Sequence, residues 1–249
     1  MRLLVAIPSR GLDGLLAICL DHARRALDSL DGRAEGRIVV VDNASEVPYV
    51  AADHPLADHL LRFDAHRSFS EACNAAAATV PSDLLLFLNN DVLLHERALG
   101  GMLDVLADPL VAIVGARLIF PEGTIQHCGV VFDERGPYHD RWGERTRIVP
   151  RIARDLQCVT GAAMLVRTTV WSELGGFDEA YPYGFEDVDL CLRSRQLGYR
   201  ITCAQDVDSI HFQSTTPGRH AFEHASLAVF QERWAGRFAV DSDPRGIRA

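Results

Sequence analysis

The chain is short of the features that mark several large functional classes. Its six cysteines (Cys19, Cys73, Cys128, Cys158, Cys191, Cys203) include no Cys-x-x-Cys pair, which removes both the usual zinc-ligand spacing and a redox dithiol. Scattered on apolar faces, they read as buried reduced thiols and place the chain in a reducing cytoplasm. Cationic excess is also missing: the formal net charge is −9 and the isoelectric point is near 5.5. That balance argues against a nucleic-acid partner held through its phosphates. A small anionic ligand stays open, because helix N-termini and metals neutralise charge locally. No apolar run approaches the roughly 18 residues needed to cross a bilayer. The stretch from Met1 to Pro8 is apolar only briefly and lacks a cleavage site, so it reads as a strand and not a leader. No Gly-x-Gly-x-x-Gly follows a strand, which excludes a dinucleotide-binding dehydrogenase. No repeat, low-complexity tract or linker interrupts the 249 residues. A single domain over 1–240 with a polar, frayed tail at 241–249 is the expected organisation.

What is present is a βαβ rhythm that stops repeatedly at polar tips. Leu3 to Ile7 is a short apolar run ended by Pro8-Ser9-Arg10-Gly11, a buried strand and tight loop. Leu12, Leu15, Leu16, Cys19, Ala23, Ala26, Leu27 and Leu30 then recur at helical spacing. Arg37 to Val41 is a second strand ending in Asp42-Asn43, which makes the sheet parallel and covered on both faces. His59 to Phe63 is a weaker third strand, and Ser68 and Glu71 have the spacing of a capping box ahead of a helix. Asp83 to Leu88 is the most apolar strand and ends in Asn89-Asn90-Asp91. In an open parallel sheet the ligand lies beyond the carboxyl ends of the strands, so Pro8 to Arg10, Asp42 and Asn89 to Asp91 should converge on one crevice. Ordinary turn chemistry is the competing explanation for each Asn/Asp tip.

Further on, a helix near His95 to Ala107, a strand Val111 to Phe120 and a hairpin arm from Gly123 to Val131 are expected. Residues 133–155 are charged and aperiodic, the signature of a lid or a disordered insertion. Cys158 to Val166 reads as a strand whose Thr160-Gly161-Ala162 allows close approach of another group. The densest chemistry follows: Asp178, Glu179, Glu186, Asp187 and Asp189 put five carboxylates within twelve residues, interrupted by Pro182 and Gly184. A loop leading into a helix at Glu186 would set these acids against the positive end of that helix, where the ionised form is favoured. A base can sit there, although first-turn acids also serve helix stability alone. A strand Tyr199 to Cys203, the His211-Phe212-Gln213-Ser214 stretch and an amphipathic helix with Phe222, Leu227, Phe230, Trp234 and Phe238 complete the chain.

Taken in order, Pro8, Val39 to Ser45, Leu86 to Asp91, Gly123 to His127, Thr160-Gly161-Ala162, Gly175 to Glu179 and Glu186 to Leu190 resemble the family 2 glycosyltransferases, most closely the rhamnosyltransferase-like members. The resemblance implies a GT-A type α/β fold, with a Rossmann-like, mostly parallel central sheet flanked by helices in a single domain. It implies a nucleotide-diphosphate sugar donor contacted by Pro8, Asp42, Asn74, Asn89, Asn90 and Gly161. A divalent metal, Mn²⁺ or Mg²⁺, would be held by Asp91 and His211, imidazole suiting Mn²⁺ better. Asn89 stands where the family's Asp-x-Asp motif has its first carboxylate, a departure that removes one anionic ligand. Asp187 matches the catalytic base and Glu186 a carboxylate that positions the acceptor. The implied reaction is inverting, non-processive transfer to a hydroxyl of a glycan, lipid-linked or small-molecule acceptor, with peripheral membrane association compatible. A metal-dependent nucleotidyltransferase and a non-catalytic nucleotide-sugar binding module are the rival readings. The first lacks its glycine- and lysine-rich phosphate loop after Pro8.

Overall fold

The computed structural model describes residues 1–213 and 220–241. Within them the chain runs β1 (Arg2–Ser9), α1 (Asp13–Asp28), β2 (Glu35–Asn43), β3 (His59–Phe63), α2 (Phe69–Ala77), β4 (Leu84–Leu88), β5 (Val92–Leu93), α3 (Ala98–Val105) and β6 (Val111–Ile119). It continues as β7 (Ile125–His127), β8 (Val130–Asp133), β9 (Gly136–His139), β10 (Asp155–Leu156), β11 (Ala163–Arg167), α4 (Thr168–Leu174), α5 (Glu186–Gln196), β12 (Arg200–His211) and α6 (His220–Trp234). Ser214 and residues 242–249 of the expected tail lie outside the described residues.

The main sheet has the order β10-β12-β6-β11-β4-β1-β2-β3, with β5 paired to β12 and β7 to β6. The β1/β2, β1/β4, β2/β3 and β12/β6 pairs are parallel, and β11 runs antiparallel between β4 and β6. This is the mixed but mostly parallel α/β architecture expected. Its strands read as unbroken apolar runs because both faces are covered. Along β1, Leu3, Val5 and Ile7 pack with α1 and α3, while Leu4 and Ala6 face a second core built with α2, α5 and α6. All six cysteines are buried in this interior or beside it as free thiols. The capping box at α2 is formed on both sides: Glu71 N–H donates to Ser68 Oγ at 3.1 Å and Ser68 N–H to Glu71 Oε2 at 2.9 Å.

Three stretches differ from the sequence expectation. The run Cys158 to Val166 is not one strand, because the ladder with β4 begins only at Ala163 and the preceding residues cross the sheet edge as a loop. Apolar burial without ladder pairing looks the same in sequence. Residues 133–155 are not structureless: Gly136–His139 returns on Val130–Asp133 as an antiparallel hairpin, and Asp140 and Val149 are buried. The strand expected over Tyr199 to Cys203 instead runs from Arg200 to His211, with a register shift between Ala204 and Ser209 that absorbs its polar residues.

The acid-rich loop is fixed from below. Phe177 sits among Phe69, Phe87 and Trp171, with ring centroids 5.0–5.9 Å away. Asp189, fully buried on α5, accepts from Tyr181 Oη (3.2 Å), Arg193 Nε (2.6 Å), Arg233 Nη1 (2.8 Å) and Trp234 Nε1 (2.9 Å). One carboxylate thereby joins the loop, α5 and α6. Replacing it leaves two guanidinium groups without their buried partner, a change that costs about 3–5 kcal/mol. Arg233 is partly exposed and recovers some hydration. Asp189→Ala should therefore destabilise the fold by about 3 kcal/mol, the low end of that range, with the urea midpoint as the measurement.

Candidate active site

The carboxyl ends of β1, β2 and β4 open onto a crevice of about 520 Å³. Because β11 is antiparallel, it starts at this same edge, and its entry loop Thr160-Gly161-Ala162 becomes a wall of the crevice. β12 ends there at His211, and α5 starts there at Glu186. Pro8, Asn89, Asn90, Asp91, Gly161, Glu186, Asp187 and His211 are thus brought together on one crevice. Asn90 Nδ2 donates to Ser9 Oγ at 2.8 Å, and Asn89 N–H to the Ala162 carbonyl at 2.9 Å, so the tips of β1, β4 and β11 are tied to each other.

Two expected residues are not on the crevice wall. Asp42 is fully buried behind it, accepting from Ser45 N–H (2.9 Å) and Tyr49 N–H (3.1 Å) and pairing with Arg62. Burial alone would raise its pKa, but these hydrogen bonds outweigh it and hold the carboxyl below its ordinary range. Its neighbour Asn43 lines the crevice instead, because side chains alternate along a strand and one residue of phase decides the face. Asn74 lines a separate hollow of about 580 Å³. Its side chain exchanges two hydrogen bonds with the backbone of Phe177, both at 3.0 Å, and so clamps the acid loop.

The sharpest asymmetry lies in Glu186 and Asp187. Phe185 adopts φ 69° just before them, a left-handed conformation that costs a bulky residue energy and tends to persist where function requires it. Asp187 Oδ2 accepts Gly161 N–H at 2.7 Å and Oδ1 accepts its neighbour Val188 N–H at 2.8 Å. Burial raises the Asp187 pKa, and these donors with the Thr160 hydroxyl pull against it. Glu186 has less help. Burial first, and the adjacent Asp187 charge second, push it up to about 8, and its Oε2 is buried with no partner. Both carboxyls are raised, Glu186 the further of the two, so within the pair Glu186 holds a proton more readily than Asp187.

Across the crevice, His211 Nε2 lies 3.2 Å from Asp91 Oδ1 and its Nδ1 lies 3.2 Å from Gln126 Oε1. Gln126 thus holds one ring nitrogen of His211 while the other faces the Asp91 carboxylate, a placement in which imidazole and carboxylate can share a cation. Two adjacent ligands of an octahedral ion with bonds of about 2.0–2.1 Å stand about 3 Å apart, which the Asp91–His211 pair matches. Among the described residues no group of three or more His, Cys, Asp or Glu is placed to hold a metal. A cation here would depend on substrate oxygens to complete its shell, the usual arrangement for ions that bridge phosphates.

Sequence reasoning missed a second histidine relay. Thr160 N–H donates to His127 Nε2 (3.4 Å), so the His127 proton is on Nδ1, which faces His139 Nδ1 at 3.0 Å. His139 accepts there and keeps its own proton on Nε2. Burial lowers both pKa values, His139 to about 4, so both rings are neutral. His139 lines the crevice and brings to it an uncharged N–H donor. Nothing in the spacing of His127 and His139 signals this, because the hairpin that joins them has no periodic pattern.

Residues 2–235 match the profile of the family described as glycosyltransferase like family 2. The O-antigen biosynthesis protein RfbC of Myxococcus xanthus is 35% identical over 175 residues, 66% of this chain and 14% of that protein. The pre-mycofactocin glycosyltransferase of Mycobacterium tuberculosis is 30% identical over 183 residues, 72% of this chain and 37% of that protein. The N-acetylglucosaminyl-diphospho-decaprenol L-rhamnosyltransferase of the same species is 24% identical over 233 residues, covering 82% and 76% of the two chains. The chain therefore spans well under half the length of the first two. In structure it is similar to mannosyltransferase PcManGT from Pyrobaculum calidifontis, solved with GDP-Man and Mn²⁺ (TM-score 0.65, 18% identity, 98% of this chain and 66% of that one). It is also similar to GalNAc-T7 solved with UDP, GalNAc and Mn²⁺ (TM-score 0.68, 13% identity, 94% and 48%). At these identities the likeness establishes the fold, which is GT-A.

Two expectations follow from the site. A carboxyl whose pKa is raised by folding binds its proton more tightly folded than unfolded, so stability falls as pH rises from about 4.5 to about 8. Glu186→Gln removes that loss: in urea titrations it should match the native chain below about pH 4.5 and exceed it progressively towards pH 8. Nitrogen-15 spectra at neutral pH should show His127 protonated on Nδ1 and His139 on Nε2. The reverse pattern would break the relay.

Proposed function

The chain belongs to glycosyltransferase family 2, and from that premise we propose that it transfers a sugar from a nucleotide-diphosphate donor to an acceptor hydroxyl by direct displacement, with inversion at the anomeric carbon. The observation that supports the reading is the placement of Glu186 and Asp187, unequally raised, on a crevice that also holds Asp91 and His211. A hydroxyl is a poor nucleophile, and Asp187 takes its proton as the new bond forms. Glu186 keeps its own proton and positions the acceptor by hydrogen bonding. Pro8, Asn43, Asn89, Asn90 and the Gly161 loop form the donor side, with Asp42 bracing the nucleoside end from behind.

Asp91 and His211 are the residues that would hold Mn²⁺ or Mg²⁺ against the donor diphosphate, where the ion offsets the charge developing on the leaving group. Both solved neighbours cited above carry Mn²⁺. Asn89 supplies no carboxylate, and its backbone is committed to β11. A lipid-linked acceptor and rhamnose are the first substrates to test, after the name of the decaprenol rhamnosyltransferase relative. Among the described residues no helix is long and apolar enough to cross a membrane.

General-base catalysis contributes about 10² to 10⁴ in rate, so Asp187→Asn should lower kcat by that factor with donor affinity unchanged in calorimetry with Mn²⁺. Asp91→Asn should abolish the metal-dependent part of that affinity. Transfer slowed less than about tenfold by Asp187→Asn would refute the assignment of the base.

A further inference from the structure

Residues 141–154 carry five arginines against one glutamate, a local net charge of +4 in a chain of −9. The sequence contains no lysine, so all 25 of its Lys/Arg positions are arginine, the side chain that grips phosphate in a bidentate fork. Arg141, Arg151 and Arg154 pair with Glu144, Asp208 and Asp140. Arg145 and Arg147 are exposed and have no carboxylate partner among the described residues. Interleaved with them are large apolar side chains turned to solvent: Trp142 is 47% exposed, Ile148 66% and Ile152 68%.

This strip is held, not loose. Arg117 is fully buried and spends its guanidinium on the strip's backbone, donating to the carbonyls of Thr146, Val149 and Pro150, each at 3.4 Å, while pairing with Asp208 at 2.9 Å. Val149 turns inward as an anchor. The shorter contacts of Arg117, to Gln205 Oε1 and Asp208 at 2.9 Å, are on β12, so the buried guanidinium ties the strip to the sheet. The strip also adjoins the crevice, because the Trp142 ring packs on His139 at 5.3 Å and on Phe120 at 4.9 Å.

We propose that Trp142–Ile152 is a membrane-docking surface that seats the crevice mouth on an anionic lipid bilayer. Unpaired arginines attract the acidic headgroups, and the exposed Trp and Ile side chains enter the boundary between headgroups and acyl chains. A soluble polyanion would use the arginines and leave the isoleucines in water, so the combination favours lipid. The inference deepens the transferase reading and rests on it only for the lipid-linked acceptor. Vesicle partition is measured without donor or metal, so the two can fail separately.

The test is flotation of the whole chain with vesicles of 70:30 phosphatidylcholine:phosphatidylglycerol, or of phosphatidylcholine alone, at 50 and 500 mM NaCl. The chain should float with the anionic vesicles at low salt and stay behind with the neutral ones. Each arginine near such a surface contributes about fivefold, so Arg145→Ser with Arg147→Ser should weaken partition about 25-fold. Ile148→Ser with Ile152→Ser should weaken it at both salt concentrations, since apolar insertion is not screened. Thermal midpoints and donor hydrolysis in solution should stay at the native level in both variants. No flotation, equal flotation with neutral vesicles, or native flotation of the arginine variant would overturn the proposal. Retention on heparin without flotation would also overturn it, in favour of a polyanionic glycan.

Discussion

A half-buried carboxylate needs fixed donors to replace the hydration it loses, and the bond from Gly161 N–H to Asp187 supplies one here, opposing the upward push of burial. The approach has little room: a Cβ on residue 161 would lie 3.3 Å from the Asp187 Cβ, tight enough to push the two apart. A side chain at that point would have to shift the start of α5 by a few tenths of an ångström, enough to disturb the 2.7 Å bond from Gly161 to Asp187. The left-handed turn at Phe185 precedes Glu186 and Asp187 at the crevice, and Asp189, two residues further along α5, takes the ion pairs that hold α5 and α6 together. Two consecutive acids thus face the crevice while the next acid along is committed to structure. Glu186, with its partnerless oxygen, is where stability is given up, as is common where a site must be ready before substrate arrives.

The second constraint is topological. Asp91 follows β4 and His211 ends β12, more than a hundred residues apart, yet β5, two residues long, pairs Val92 with His211 and brings them side by side. Gln126, on the β7 strand that pairs with β6, sets the ring's orientation from a third direction. Three separate elements therefore converge on one imidazole, which limits its motion far more than a loop position would.

Much of this was legible in sequence where a local rule decides the outcome. Continuous apolar runs with polar tips gave β1, β2 and β4, Ser68 and Glu71 gave the start of α2, and the last breaker before Glu186 gave the start of α5. What escaped were matters of phase and partner. Whether Asp42 or Asn43 faces the crevice depends on a single residue of strand phase, and Asn74 lies on a helix whose neighbours no local pattern reveals. The hairpin β8–β9 contains Pro137 and Gly136, so its alternation is hidden, and with it the meeting of His127 and His139. The extent of β12 was masked by Gln205, Asp206 and Asp208, polar residues that the sheet tolerates at its register shift.

The buried thiols give the molecule an internal reporter. Burial raises the pKa of Cys19, Cys73, Cys158 and Cys203 and takes that of Cys128 to about 11, so in the intact fold these five offer an alkylating reagent almost no thiolate, and Cys191 is buried out of its reach. Any labelling then counts openings and not surface accidents. Cys158 lies three residues ahead of Gly161, and Cys191, on α5, donates to the carbonyl of Val159 at 3.8 Å. Their modification rate is a clock on the seam between β11 and α5, and its slowing by a bound ligand would measure how firmly that ligand closes the site.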